Sequence, residues 1–560
     1  MSQNLNNTET RELPRSQDDS SSLKEADEAN IQELPVQPTT VRDSEEVLKW
    51  STRKSLSVWL LICYSNGPVS SMARSYVPAS IQSIANAVGH LKGTDKPCPR
   101  KLATGQRCLV KFGNGEIDYN SYSLYIKAIT TSIEGLLGIF TTGVADYTNY
   151  RRGIMFGTLF LYSASALPAA GLWEKKYSNL VGLAFLYSLM ICIDSVYQII
   201  EGSYIPIFMR SRASVKIKGT EPEQIKRKMV LAQGSLVSVL GIVIGNVGGI
   251  TATLIGVIIT YNWGAAASIG YKRFLLAVTI AGCISMVAVS IAFFIFPSVK
   301  GLEKPKNVNI LTVSVKRFFG LLKDIQKYPE AWKLCIGWVI WNVSYSNFLS
   351  VFNLLFRSEL GLGTADGEYT VWTLMTMVIS TLFSLTWMYA YPRTPLKIKH
   401  WAYGFFFISF FANLWGCIGI PDHVNVGFKH RAEFWVFEIF YAGTSSALRS
   451  LNRTLYSSLL PEGSEAKFFG LEITMGVAVG WIGSLVNATI QDRTGNLRWP
   501  MVPNLFLVLI AAGLYCWVDV DKGMSDAQKV DVVFEGSGPS EVIEEPIEIV
   551  REESNDSLKK

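Results

Sequence analysis

Histidine and charged residues are scarce in this 560-residue chain. Only 18% of its residues are charged, 49% are hydrophobic, and the mean hydropathy is +0.23. A soluble protein of this size could not remove so much apolar surface from water, so a lipid bilayer is the expected solvent. The four histidines are too few for a histidine-based metal centre or catalytic cluster. We therefore expect a membrane protein that is not an enzyme and has no metal or cofactor.

Apolar runs recur from residue 57 to residue 518, and each is long enough to cross roughly 30 Å of hydrocarbon as a helix. Backbone polar groups in lipid must be satisfied within the segment, so the expected fold is all-α, with about 12 transmembrane helices in two six-helix halves. The runs lie near 57–87, 122–145, 153–172, 179–208, 230–260, 273–297, 333–356, 370–391, 400–420, 433–455, 469–490 and 501–518.

The runs divide the chain into two halves, residues 51–297 and 333–520, joined by a basic linker at 298–332. Residues 1–50 and 521–560 are polar tails that bury too little apolar surface to offset the entropy of ordering, so we expect disorder there. The chain does not begin with a charged segment followed by an apolar one, so we expect the first span, and not a cleaved signal peptide, to direct insertion.

Basic residues collect in loops between alternate runs, at 151–152, 210–228, 298–333 and 393–399. The positive-inside rule places these loops in the cytosol, together with both tails if the number of spans is even. They account for the net charge of +6, and the aromatic residues lie in the apolar runs rather than among the basic clusters. We therefore expect these basic loops to contact membrane lipid and not nucleic acid. The sequence carries no signal for a particular oligomeric state.

The linker contains an amphipathic pattern around Lys316, Arg317 and Phe318. Two interpretations are open: a helix that lies on the anionic cytoplasmic leaflet, and a solvated linker helix.

Two of the eight cysteines differ from the rest. Six lie in apolar runs, whereas Cys98 and Cys108 share the polar loop between the first two runs, on the face away from the cytosol. Thiols can be oxidised there, so a disulfide is the favoured interpretation. A zinc site would need more ligands, and the loop offers only His90 nearby.

Charged side chains inside the apolar runs are the strongest functional signal, because they are costly in hydrocarbon and usually face a cavity or one another. In the fourth run, Asp194, Gln198 and Glu201 are spaced i, i+4 and i+7 and so share one helix face. The other candidates for a substrate path are Arg74, Glu134, Glu438 and Arg449. Two interpretations are open: a path for a zwitterion or for protons, and charge pairing between helices.

Glycine and proline indicate where helices approach closely or bend. Gly241, Gly245 and Gly249 in the fifth run form a small-residue face that admits another helix. Pro68 and Pro78 are expected to interrupt the first helix, and Pro206 to end the fourth.

The loop after the second run reads TTGVADYTNYRR. Asp146 followed by Arg151 and Arg152 resembles the cytoplasmic signature of the major facilitator superfamily, in which an acid and a basic pair hold the inward gate. On this resemblance the three residues are gating candidates. Arg453, near the cytoplasmic end of the tenth run, is a fourth, with snorkelling to the interface as its alternative.

Further segments resemble the fungal vacuolar amino-acid effluxer family, autophagy-related protein 22, a branch of that superfamily. They are SYSLYIKAITTSIEG in the second run, SYIPIF ending the fourth, KMVLAQGSLVSVLGIVIGNVGG in the fifth and RSLNRTLYSSLLPEGSEAKFFGLE across 449–472. The resemblance covers residues 57 to about 520. It implies a multi-pass protein of the vacuole membrane that exports amino acids, including leucine-type neutral ones, to the cytosol after autophagic breakdown. Protons are a candidate second substrate.

Other functional classes stay open. A carrier for another small polar solute would need a similar path, and a non-transporting receptor or assembly factor in autophagy would need only the tails and loops. A membrane enzyme would need a nucleophile or a metal cluster near the interface, which the sequence does not offer.

Overall fold

The computed structural model describes residues 52–99, 101–102, 106–146, 151–202, 204, 208, 223–262, 270–296, 310–362, 367–460 and 465–534. The tail 1–50, most of the tail 521–560 and Pro206 lie outside these ranges, and so do the predictions made for them.

Every apolar run of the sequence coincides with a helix. In the first half these are α1 (Thr52–Val88), α2 (Tyr119–Asp146), α3 (Arg151–Ala166), α4 (Tyr177–Gly202), α5 (Glu223–Asn262) and α6 (Gly270–Ile295). The linker contains α7 (Ile310–Ile325). The second half contains α8 (Pro329–Leu360), α9 (Gly367–Ala390), α10 (Ile398–Ile418), α11 (Arg431–Ser458), α12 (Glu465–Thr494) and α13 (Met501–Trp517), and α14 (Val520–Phe534) follows.

Within the described ranges, nine helices are long and apolar enough to cross a membrane, and up to ten if α13 and α14, bent by 64°, count as one span. The nine are α2 to α6, α8 to α10 and α12. α1 and α11 are as long as the others but carry more polar residues, which hold down their mean hydropathy. The fold class is all-α and membrane-spanning, while the count of twelve spans stays a prediction.

Helices pack both within each half and between the two halves. In the first, α1 packs on α5 and α6, and α4 packs on α2 and α3. In the second, α8 packs on α13, and α11 packs on α9 and α10. Between the halves, α2 packs along α12, and α5 packs on α9 and α11.

A small antiparallel sheet connects α1 to α2, which the sequence analysis did not predict. Its strands are β1 (His90–Leu91), β2 (Cys108–Phe112) and β3 (Gly115–Asp118). Gly113 in the β2–β3 turn has a φ of +58°, a conformation that glycine adopts without strain. Cys98 and Cys108 form a disulfide that ties the preceding loop to β2. We call this side of the molecule the hairpin end, and the opposite side, where α7 lies, the linker end.

The close approach predicted from the glycines of the fifth run occurs between α5 and α1. A Cβ on Gly67 would lie 2.1 Å from the backbone oxygen of Gly245, and a Cβ on Gly248 would lie 2.4 Å from that of Tyr64. Pro68 has no N–H to bond the oxygen of Tyr64, so this oxygen is free to face Gly248. Contrary to the expectation of an interruption, α1 continues through Pro68 and Pro78, because packing against α5 supports the helix where its own hydrogen bonds are missing.

The linker helix α7 turns its apolar face to the bundle. Phe318, Leu321 and Ile325 are buried, and the helix packs on α2 and α12, one from each half. Lys316 and Phe319 lie on its exposed face.

Helix α14 occupies residues for which the sequence analysis expected disorder. Ala527 on this helix is fully buried, and the backbone N–H of Asp519, just before it, donates to Glu330 at the start of α8 (2.8 Å). A polar composition does not reveal this docking, because it depends on a buried partner from another part of the chain.

Gly67→Ala should destabilise the folded protein, because the backbone of α5 cannot move aside as a side chain could. We expect a loss of about 1–3 kcal/mol, measured as a lower midpoint of thermal unfolding in detergent. Gly157→Ala in α3 is the matched control, since nothing lies within 4 Å of the added Cβ. Equal midpoints for the two variants would contradict the close contact between α1 and α5.

Candidate functional site

An ion pair between α1 and α4 lies in the middle of the bundle. Arg74 Nη2 is 2.8 Å from Asp194 Oδ2, and Gln198 Nε2 donates to the same oxygen over 2.8 Å. The side chain of Asp194 is fully buried, whereas that of Arg74 is 54% exposed. Arg74 is also within electrostatic range of Glu134 on α2 and Tyr345 on α8. Its exposed part therefore faces a space enclosed by helices of both halves.

Arg449 of the second half lies across this space. Its guanidinium stacks over the ring of Tyr345 at 4.4 Å and contacts Asn342 Oδ1 at 3.4 Å. The partly exposed residues Arg74, Glu134, Gln198, Asn342 and Arg449 define what we call the central chamber. It presents charges of both signs in mid-membrane, where they can meet a polar solute.

Glu201 belongs to a second cluster, nearer the linker end. Its Oε1 lies 3.5 Å from Cys63 Sγ, and it interacts electrostatically with Arg453 of α11. Arg453 also interacts with Glu472 of α12, which accepts a hydrogen bond from Asn452 (3.0 Å). The face shared by Asp194, Gln198 and Glu201 is thus divided between the chamber and a charge cluster that joins the two halves.

Glu438, another of the predicted path residues, lies further along α11 and interacts electrostatically with Tyr345. It is 1% exposed and accepts a hydrogen bond from Thr376 of α9 (2.6 Å). Glu438 and Arg449 share a stripe of α11, but eleven residues separate them by about 16 Å along the axis. At the position of Glu438, this face of α11 packs against α9.

The predicted gate is only partly described. Asp146 and Arg151 stand at helix ends, but their side chains and the loop between them lie outside the described residues. The guanidinium of Arg152 lies 5.3 Å from the centre of the Phe293 ring and donates to the backbone oxygen of that residue, within the first half. The structure therefore ties Arg152 to α6, and a gating role for these residues stays a prediction.

Lys127 of α2 was missed by the sequence analysis. Its ammonium contacts Ser346 O at 2.7 Å, Ser346 Oγ at 2.9 Å and Ser350 Oγ at 2.6 Å, all on α8. It therefore links the two halves between the chamber and the hairpin end. Its position seven residues before Glu134, on the same face of α2, was the available signal.

At the hairpin end, a buried arginine closes the gap between the halves. Arg357 of α8 donates to three acceptors on α1: Ala79 O, Gln82 Oε1 and Ser83 Oγ. Gln82 in turn donates to Leu354 O (3.2 Å) and to Asn120 Oδ1 (2.8 Å).

The hairpin extends this closure to α12. Arg107 donates to the backbone oxygen of Asp492, and the backbone N–H of Asp118 donates to Asp492 Oδ1 (2.9 Å). Gln491 contacts Asp118 Oδ1 at 3.4 Å. The disulfide holds β2 next to Arg107, so the first half covers this end of the second.

Residues 51–528 match the sequence profile of the family described as vacuole effluxer Atg22 like. The chain belongs to this family. Autophagy-related protein 22 of Candida albicans is 49% identical and covers 87% of this chain and 97% of its own. The proteins of that name from Kluyveromyces lactis and Saccharomyces cerevisiae are each 21% identical, over 86% and 88% of this chain and 96% and 98% of their own.

Solved structures show the same fold as this Atg22-like chain. The xylose transporter XylE of E. coli, inward open, has a TM-score of 0.54 at 11% identity and covers 85% of this chain and 99% of its own. A proton-dependent oligopeptide transporter has a TM-score of 0.51 at 11% identity over 86% and 100%. The family and the major facilitator fold predicted from the sequence are confirmed, and the chain is a multi-pass transporter. The roles of the individual path and gate residues stay predictions.

Arg74→Gln should lower the yield of folded protein, because it leaves the carboxylate of Asp194 buried without its cation, at a cost of about 3–5 kcal/mol. Adding Asp194→Asn should restore much of that yield, since Gln198 can still donate to the amide oxygen. Unfolding midpoints of both single variants and the double variant measure the coupling. Additive effects would show that the pair contributes nothing as a pair.

Asp118 should make the docking of the hairpin depend on pH. Burial raises the pKa of its carboxyl to about 6, with Asp492 acting in the same direction and Asn120, Gln491 and Arg107 opposing. The pKa of Asp118 in the folded protein is above the ordinary value of 3.8, so protonation of this carboxyl stabilises the folded state. This stabilisation is complete below pH 3.8. This contribution is lost as the pH rises through about 6.

Asp118→Asn should therefore be more stable, relative to the parent protein, at about pH 7.5 than at about pH 5. Unfolding midpoints at the two pH values give this difference. Glu116→Gln, an exposed carboxyl on the same strand, controls for the change of charge. A pH-independent difference for Asp118→Asn would rule out the titration of this carboxyl.

Proposed function

We propose that this protein exports neutral amino acids of the leucine type across the vacuole membrane, from the lumen to the cytosol. One observation carries the proposal: the central chamber presents the carboxylate of Glu134 together with guanidinium groups from both halves, those of Arg74 and Arg449. Family membership supports the vacuolar location and the direction of transport, since the family description names a vacuole effluxer.

The chamber has complementary groups for both ends of an amino acid. Among the described residues, Arg449 contacts an amide and an aromatic ring rather than a carboxylate, so its guanidinium can receive the carboxylate of a substrate. Glu134, whose charged neighbours include Arg74 and Lys127, suits the ammonium group. A zwitterion held in this way adds no net charge to the interior of the membrane.

The two ends of the molecule suit alternating access. On the positive-inside assignment the hairpin end faces the lumen, so the network of Arg357, Arg107 and Asp492 closes the lumenal side in this state. Loading would require these hydrogen bonds to break. At the cytosolic side, the cluster of Glu201, Arg453 and Glu472 joins the halves by charge and is suited to open and close with them.

Proton linkage fits the same residues. Asp194 and Glu201 lie two turns apart on α4, and the side chain of Asp194 is fully buried. Carboxyl groups within transmembrane helices often line proton paths. An acidic lumen would supply protons to this path. The proposal therefore includes protons as a second transported species.

Efflux of radiolabelled leucine from isolated vacuoles tests the proposal. Asp194→Asn with Glu201→Gln should lower efflux, and the efflux that remains above the level of vacuoles lacking the protein should depend differently on lumenal pH. Protein level and vacuolar location are measured alongside. Glu174→Gln is the matched control, because this carboxylate lies in an exposed loop beside Lys176 and should leave efflux unchanged.

Normal efflux from the double variant, with an unaltered pH profile, would reduce both carboxylates to structural partners and would move the search for the path to α11. Equal efflux with and without the protein, for every amino acid tested, would overturn the substrate class itself.

A further inference from the structure

Lys127 uses all three of its ammonium hydrogens on one small group of oxygens. Ser346 O, Ser346 Oγ and Ser350 Oγ surround Nζ at 2.6–2.9 Å, and we call them the α8 triad. A Lys ammonium has three donors and no acceptor, so three oxygens at this distance saturate it. Its described carboxylate neighbour, Glu134, interacts only at longer range.

The triad is a feature of α8 itself. Its oxygens come from successive turns of one helix, and Ser350 Oγ donates to Ser346 O (2.9 Å), which directs the lone pairs of Ser350 towards the ammonium. Ser346 is exposed, so the site is open to the interior space. Lys127, by contrast, belongs to α2 and the other half of the molecule. Movement of the halves would take the lysine away and leave the oxygens in place.

We propose that the α8 triad is a binding site for the primary ammonium group of the transported molecule, and that Lys127 is a built-in competitor for it. The inference rests on the proposed transport function. When the halves part at the hairpin end, Lys127 leaves and the triad is open to a ligand from that side. When they close, the lysine returns. Two ammonium groups cannot share three acceptors, because their charges repel at contact distance.

Once Lys127 has displaced the ammonium group of the transported molecule from the α8 triad, that group has another acceptor nearer the linker end. Glu134 lies seven residues beyond Lys127 on α2, about 10 Å towards the linker end, and borders the central chamber. Closure at the hairpin end would therefore transfer the amine from neutral oxygens to a carboxylate. The lysine favours movement away from the side on which the ligand entered, which suits an exporter.

Binding of n-butylammonium to the purified protein in lipid nanodiscs, followed by calorimetry, tests the site without an amino acid. Lys127→Met should bind the probe about tenfold more tightly than the parent protein, because the charged hydrogen bonds of the triad become available. The gain should disappear when Ser346→Ala and Ser350→Ala are added. Lys323→Met, on the exposed face of α7, should behave as the parent does.

A folded Lys127→Met protein with no gain would overturn the proposal, and so would a gain that survives loss of both hydroxyls. If methionine lowers the folded yield, Lys127→Gln replaces it in the same comparison, with the same expected gain and the same contrary result. Leucine efflux separates the two proposals. Tighter butylammonium binding by Lys127→Met without leucine efflux by the parent protein would support the site and reject leucine-type amino acids as the substrate. Leucine efflux without tighter butylammonium binding would support the substrate and reject the site.

Discussion

The exclusion of charge from hydrocarbon is the constraint on which the rest of this structure depends. Asp194 is buried completely and is tolerated because Arg74 and Gln198 both bond one of its oxygens. Arg74 is in turn held between helices of both halves, with half of its side chain accessible. The pair therefore requires an enclosed polar space in mid-membrane. That space is the feature in which a transporter of polar solutes differs from a simple helical bundle.

Contacts within a half and contacts between halves have different physical characters. Within the first half, α1 and α5 touch backbone to backbone at Gly67 and Gly245, a fit that tolerates no added atom. Between the halves, at the hairpin end, the contacts described above are largely hydrogen bonds of arginine, glutamine and aspartate. Water can replace such bonds when the surfaces separate. The contacts within the first half therefore differ in kind from the contacts between the halves at the hairpin end.

The hairpin and Lys127 provide two polar links between the halves, both towards the hairpin end of the molecule. The disulfide ties the loop before β2 to that strand, and Asp118 and Arg107 dock on the end of α12. Lys127 makes a second link to α8 closer to the chamber. A solute that enters from this end meets both links before it reaches Arg74. Both links therefore join groups that belong to opposite halves.

The sequence by itself determined the membrane environment, the helical fold, the helix boundaries to within about seven residues and the family, because hydropathy and local motifs are properties of contiguous residues. It also selected Arg74, Asp194 and Arg449, since charge in an apolar run is visible without coordinates. Only the tertiary structure decided which charges meet. In the structure, Glu201 lies in the cluster of Arg453, and Glu438 is buried against Thr376 of α9. Lys127 contacts two serines that are 219 and 223 residues away in the sequence. Helical spacing gives the face and the depth of a residue, but its partner depends on how separate helices pack.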